Sequence, residues 1–458
     1  MSIGDDGYAR PQTTLEAQIN LILHGIPGVE EGLEGAAAYP PDWREKGSVD
    51  YLYRERSILV RDADVERLRT IVPSEPVRGE DNLRGLTLLQ FTADEQRSVE
   101  EVCAAVDREL GEGVVTPDHI FYVCTGTTCP ATEPEPVPPG SPPFPGVSTE
   151  ACDGSGVRVA VLDSGWLDYA ATQHPWLAGV HGQPDHAIAG SPARILPYAG
   201  HGTFVAGVVR TMAPKAEVEV RRTFRKVGAQ YESHLVKQFA EELRAGADLI
   251  SLDFGSNTRS DIASLGFDVV GEQLANYPGV ALVAAAGNDS SRRPFWPAAF
   301  GWTVGVGALS SNWRTRAYFS NHGPWVDVYA PGQDLVNAYA QGEYWYTEPP
   351  NLGRKAPFDG LCLWSGTSFS TPIVSGLIAA RIGKSVFASV WSAIDDAPPP
   401  LPGTGESSVA KVVGAQALQA GVMAGVAAGV DRAFAGAFHH FIGAWPKKPP
   451  KVKDAPAS

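Results

Sequence analysis

The chain has 458 residues, a formal charge of −15, 43% apolar and 19% charged residues, which fits a globular protein of two or three domains and excludes a wholly disordered or collagen-like one. The acid is concentrated: up to Ser148 there are 26 Asp and Glu against 12 Lys and Arg, and beyond it 26 against 25. An acidic surface of this kind argues against nucleic-acid binding, which needs clustered Lys and Arg to displace counterions.

In chain order, the start MSIGDDGYARPQ lacks the basic and apolar regions of a secretory signal. There is no run of about 18 uncharged apolar residues. A cytoplasmic protein without a membrane span is expected. Five cysteines (Cys103, Cys124, Cys129, Cys152, Cys362) are too few for a disulfide-stapled miniature. Cys124 and Cys129 could close a small loop only in an oxidising compartment. Residues 1–49 hold one short helix near TLEAQINLIL and are otherwise unassigned. Over 50–124, SILVRDAD, GLTLLQFT and DHIFYVC read as strands and SVEEVCAAVDREL as an amphipathic helix, a small α+β unit. Residues 125–148 are a Pro-rich linker: eight prolines fall between positions 130 and 145, a density that favours extended polyproline II reaching roughly 50 Å.

From 149 to 400 strands and helices alternate. GVRVAVLD, AEVEVRRTF, ADLISLDFG and VALVAAAG are strands, with GTFVAGVVR and LVKQFAEELRAG as helices. This is an α/β pattern that predicts a mostly parallel sheet flanked by helices on both faces, with ligands at the carboxyl ends of the strands. Residues 401–458 form an Ala/Gly-rich segment with small residues every fourth position around Gly421, Gly425 and Gly429, and then a basic tail from Lys447. Asp431 and Arg432 interrupt any membrane span there, so a packed helix is expected.

Three polar residues stand at element ends of the α/β region. Asp163 closes a strand before Ser164-Gly165, His201 opens a helix in Gly200-His201-Gly202-Thr203, and Ser368 sits in Gly366-Thr367-Ser368-Phe369-Ser370-Thr371-Pro372. A serine hydroxyl is a weak nucleophile that needs a base to take its proton and a carboxylate to orient that base. Asn288, after the apolar run ending at Gly287, supplies an amide donor for an oxyanion.

The segments DSG, GHGTFVAG, AAAGN and GTSFSTPIVSG, in this order, resemble those of the subtilisin-like serine proteases over residues 154–381, about half the chain. The resemblance implies a peptide-hydrolysing enzyme with no metal or organic cofactor in its chemistry. By it, Asp163 orients, His201 is base and then acid, Ser368 is nucleophile and Asn288 an oxyanion donor. It also implies that Ser251, Leu252, Asp253, Phe254 and Gly255 pair with a polypeptide substrate, and that Ala285, Ala286 and Gly287 wall its P1 pocket. The N-terminal unit is similar in element order to the family's propeptide, an intramolecular inhibitor removed from a zymogen; a permanent acidic recognition domain is the competing reading. A peptide-holding interaction protein on the same fold is the alternative to an enzyme.

Several positions depart from the family pattern. Phe204 and Ile373 stand where histidines are usual, neither in the triad. Asp253 replaces a small neutral residue; its carboxylate either approaches His201 and the P1 site or is solvated or hydrogen-bonded elsewhere. The segment from Gly202 to Val220 leaves no room for the calcium loop of many relatives, so that site is expected to be missing. His174, His181 and His186 form a loose trio that reads as solvated loop histidines rather than a zinc site.

Overall fold

A computed structural model describes residues 13–26, 28–77, 84–123, 132–149, 152–185, 188–189, 194–224 and 227–382, all within a unit that ends at Glu406. The Gly421 repeat, the Lys447 tail, Cys124, Cys129 and His186 lie outside the described residues. Among the described residues no helix is long and apolar enough to cross a membrane.

Seven parallel strands form the central sheet, in the order 180–182, 217–222, 158–163, 249–252, 281–285, 304–309 and 328–331. Its inner strands are near-continuous apolar runs because both faces are covered; Leu249–Leu252 and Ala281–Ala285 are buried throughout. The helices His201–Met212, Glu232–Ala245, Leu265–Gln273 and Thr367–Ile382 accompany it. A second sheet, in the order 188–189, 194–195, 335–345, 355–364 and 135–136, includes the hairpin whose returning strand leads into Ser368.

The N-terminal α+β unit is an antiparallel sheet in the order 115–122, 51–61, 86–91 and 74–76. Ser98 and Glu101 cap its helix Val99–Leu110 reciprocally. Along Tyr51–Arg61 the side chains alternate in the way a strand requires. Ile58 and Val60 enter the unit's own core with Val102 and Val106, whereas Leu59 joins Phe121, Phe239 and Phe267 in a core shared with the α/β body. The run SILV is therefore apolar on both faces because the sheet is sandwiched.

The divisions along the chain differ from the sequence reading at two places. Ala36–Tyr39 pairs with the strand Tyr51–Arg61, so part of the first 49 residues belongs to the N-terminal sheet. The described part of the Pro-rich stretch lies along the α/β body and does not span space as a tether. Glu135–Pro136 pairs with the strand Lys355–Trp364, and Phe144 exchanges backbone hydrogen bonds with Val336 at 2.7 and 3.0 Å. Proline removes donors without removing carbonyls, so such a run can still dock through its acceptors.

Candidate active site

Asp163 is the last residue of a strand near the middle of the sheet and is fully buried. Its carboxylate accepts from the Ser164 backbone N–H at 2.6 Å and faces His201 Nδ1 at 2.8 and 2.9 Å. His201 opens its helix after Gly200, whose left-handed φ of 75° and close approach to Tyr339 demand glycine. Two-point contact to a carboxylate fixes the imidazole plane and places the proton on Nδ1. Nε2 is then the basic nitrogen; it is buried and has no hydrogen-bond partner among the described residues.

Ser368 is the second residue of the helix Thr367–Ile382 and is fully buried. Its hydroxyl donates to the Asp253 carbonyl at 3.1 Å, not to His201. Asn288 is held by its oxygen, which accepts from the Thr367 N–H and hydroxyl, each at 2.9 Å. With the oxygen so occupied, the NH2 is the edge that Asn288 presents elsewhere. Gly287 donates to Thr367 Oγ1 at 3.1 Å and adopts a φ of 91° with Asn321 and Phe295 in contact, so no side chain fits there. Ala285 and Ala286 are buried beside it.

The two missing histidines have a packing explanation. Phe204 packs at a tilt on Phe369 with centroids 4.5 Å apart and meets Trp364 edge-on at 5.9 Å, while both of those rings contact His201. Ile373 is buried on the same helix as Ser368. Trp364 carries no family motif and was not legible from sequence. It becomes a neighbour of His201 only because its strand ends against the helix of Ser368.

Asp253 resolves in favour of a hydrogen-bonded interior carboxylate. It is fully buried, and its Oδ2 accepts from Ser251 Oγ at 2.8 Å, with Ser375 Oγ joined to Ser251 at 3.1 Å. Ser251 and Leu252, expected on the substrate-pairing strand, are paired on both sides inside the sheet and have no free edge. Gly255 does have one, and a strand of this same chain occupies it: Tyr122 and Gly255 exchange N–H to carbonyl bonds at 3.1 and 3.2 Å. On its other side that strand pairs with Ala229–Tyr231, and Val123 N–H donates to Gly228 at 2.9 Å. Residues 120–123 thus form the middle strand of three. Phe121 is fully buried against Phe254 and Phe267.

Burial shifts three further titratable groups. Burial pushes the Asp118 carboxyl up to about 7 even though Ser233 donates to it from both N–H and hydroxyl. Burial likewise raises Glu133 to about 7. His174 Nε2–H donates to the Gly360 carbonyl at 2.8 Å, and burial lowers its pKa. No group of three or more metal-ligating side chains occurs among the described residues.

A model of the subtilase family matches residues 154–393, just over half of the chain. The chain belongs to the subtilase family. A second model, a protein family of unknown function (DUF4235), matches residues 371–443. This subtilase is 30% identical over 268 residues to the thermophilic serine proteinase of Bacillus sp. (strain AK1), an alignment covering 55% of this chain and 58% of that protein. It is 28% identical over 272 residues to thermitase of Thermoactinomyces vulgaris, covering 56% and 86%. Among solved structures, fervidolysin from Fervidobacterium pennivorans aligns with a TM-score of 0.48 at 18% identity, over 74% of this chain and 56% of that one. The match therefore spans under two thirds of the Bacillus relative's length.

Proposed function

We propose that the protein is a serine endopeptidase made as a self-processed zymogen. The observation that carries the reading is the paired Asp163 and His201, with a basic Nε2 left unbonded, in one buried site with a serine at a helix N-terminus. Ser368 Oγ attacks the scissile carbonyl while His201 Nε2 takes the hydroxyl proton, and Asp163 stabilises the imidazolium. The oxyanion accepts from the Asn288 amide and the Ser368 N–H. His201 returns the proton to the leaving amine, and water then hydrolyses the acyl-enzyme by the reverse path. The resting hydroxyl, bonded to the Asp253 carbonyl, turns toward Nε2 when a scissile carbonyl enters.

The zymogen part is supported by the strand at 120–123. It is held between Gly228–Tyr231 and Gly255 through backbone bonds, as an extended substrate is held by strand addition. Asp163, His201, Asn288 and Ser368 are all fully buried with it seated. Cleavage then falls within residues 124–131. Intact masses of the wild type and Ser368→Ala test this: cleavage in that window in the wild type alone supports the proposal. An uncut wild type that also gives no Ser368-dependent fluorophosphonate adduct leaves a peptide-holding interaction protein.

A further inference from the structure

Asp163 and His201 lie on separate segments, 38 positions apart, and something must hold the strand end against the helix start. We infer that Asp185 is a positioning residue for that pair, a reading that rests on the proposed peptidase function. One oxygen of its carboxylate, Oδ2, accepts two bonds at once: from Ser164 Oγ at 3.1 Å and from the Gly200 backbone N–H at 2.8 Å. Ser164 follows Asp163 and Gly200 precedes His201. The result is a closed ring: Asp163, the peptide bond to Ser164, the Asp185 oxygen, Gly200, the peptide bond to His201, and Nδ1 back to Asp163. Ser164 Oγ also accepts from the Gly202 N–H at 3.1 Å, bracing the ring across the first helical turn.

Asp185 is itself anchored. Its N–H donates to the Trp166 carbonyl at 2.9 Å, Trp166 N–H donates to Gln183 at 2.8 Å, and Gln183 N–H donates to Val220 in the central sheet at 2.9 Å. The carboxylate is thus fixed to the scaffold and not to the mobile end of a side chain. A lateral error of about 1 Å between base and nucleophile costs about 10²-fold in rate, which is the scale of effect this ring guards against.

The test uses the full chain and its Asp185→Ala, Asp185→Asn and Ser164→Ala variants, reading self-cleavage rate by intact mass and kcat and KM on a peptide anilide. Asp185→Ala is expected to lower self-cleavage and kcat by about 10²-fold with KM unchanged. Asp185→Asn, whose amide oxygen still accepts both bonds, is expected to recover most of the rate. Ser164→Ala removes the bonds to Asp185 and from Gly202 while leaving the Gly200 bond to Asp185, and gives an intermediate loss, which keeps the inference testable if Asp185→Ala does not fold. An Asp185→Ala enzyme with wild-type kcat, a loss confined to KM, or an Asn variant as slow as Ala overturns the inference while the peptidase reading stands. A wild type without Ser368-dependent labelling overturns both.

Discussion

Glu133→Gln, made in the Ser368→Ala chain so that no cleavage intervenes, isolates a pH-dependent contribution to stability. Glu133 accepts from Thr347 N–H at 2.7 Å and from Tyr344 OH at 3.1 Å, and burial, outweighing these hydrogen bonds, raises its carboxyl from 4.5 to about 7. Beside it Glu348, pushed well above the carboxylate range by burial and by Glu133, accepts from Gln18 of the helix Thr14–His24 at 2.9 Å. A carboxyl whose pKa is raised on folding stabilises the fold fully below its unfolded value, and that stability is lost as pH climbs through the folded value. The window here runs from about 4.5 to about 7. At 1.36 kcal/mol per unit, the loss between pH 5 and pH 8 is about 3 kcal/mol. Urea unfolding at both pH values measures it. Glutamine cannot ionise, so Glu133→Gln should lose about 3 kcal/mol less than its parent over that rise. Equal losses in the two chains would refute the assignment of the shift to Glu133.

Asn288→Ala should lower kcat by about 10²–10³ with little change in KM, a figure known for one such donor in a subtilisin and not worked out from this chain; steady-state kinetics decide, and an unchanged kcat removes Asn288 from the oxyanion site. Phe121→Ala empties a fully buried position between Phe254 and Phe267, and should cost about 3–5 kcal/mol in urea unfolding. A cost near zero would mean that this ring does not anchor the strand. Arg259→Ala strands two carboxylates, Glu100 and Asp107, each 2.8 Å from the guanidinium. The same assay should register a loss of about 3 kcal/mol. Chelation by EDTA should leave the unfolding midpoint unchanged, because the helix His201–Met212 runs unbroken through the place where a calcium loop would be inserted; a fall on chelation would locate an ion elsewhere.

Much of the α/β body was legible residue by residue. The strands ending at Asp163 and Leu252, and the helices opening at His201 and Thr367, follow from apolar runs and from glycines at turns. These are local properties, set by steric limits on the backbone and by which faces need covering. Motif spacing likewise singled out Asp163, His201 and Ser368, because chemistry that needs a nucleophile, a base and a carboxylate restricts residue type at each place.

Other features were not local and could not be read that way. That Ser251 and Leu252 are paired inside the sheet while Gly255 pairs with Tyr122 depends on which strands lie alongside. Whether the Asp253 carboxylate points at the site or beneath it depends on Ser251 and, through it, on Ser375 from a distant helix. The pairing of residues 120–123 with Gly228–Tyr231 and Gly255, the docking of the Pro-rich stretch and the bonds that Asp185 makes to Ser164 and Gly200 all join segments far apart in the chain. The sequence by itself determined the periodicity, the reactive residue types and where most of the acid lies. Tertiary structure decided which backbone edges are free and which carboxylates lose their water, because pairing and desolvation are properties of neighbours that only folding brings together.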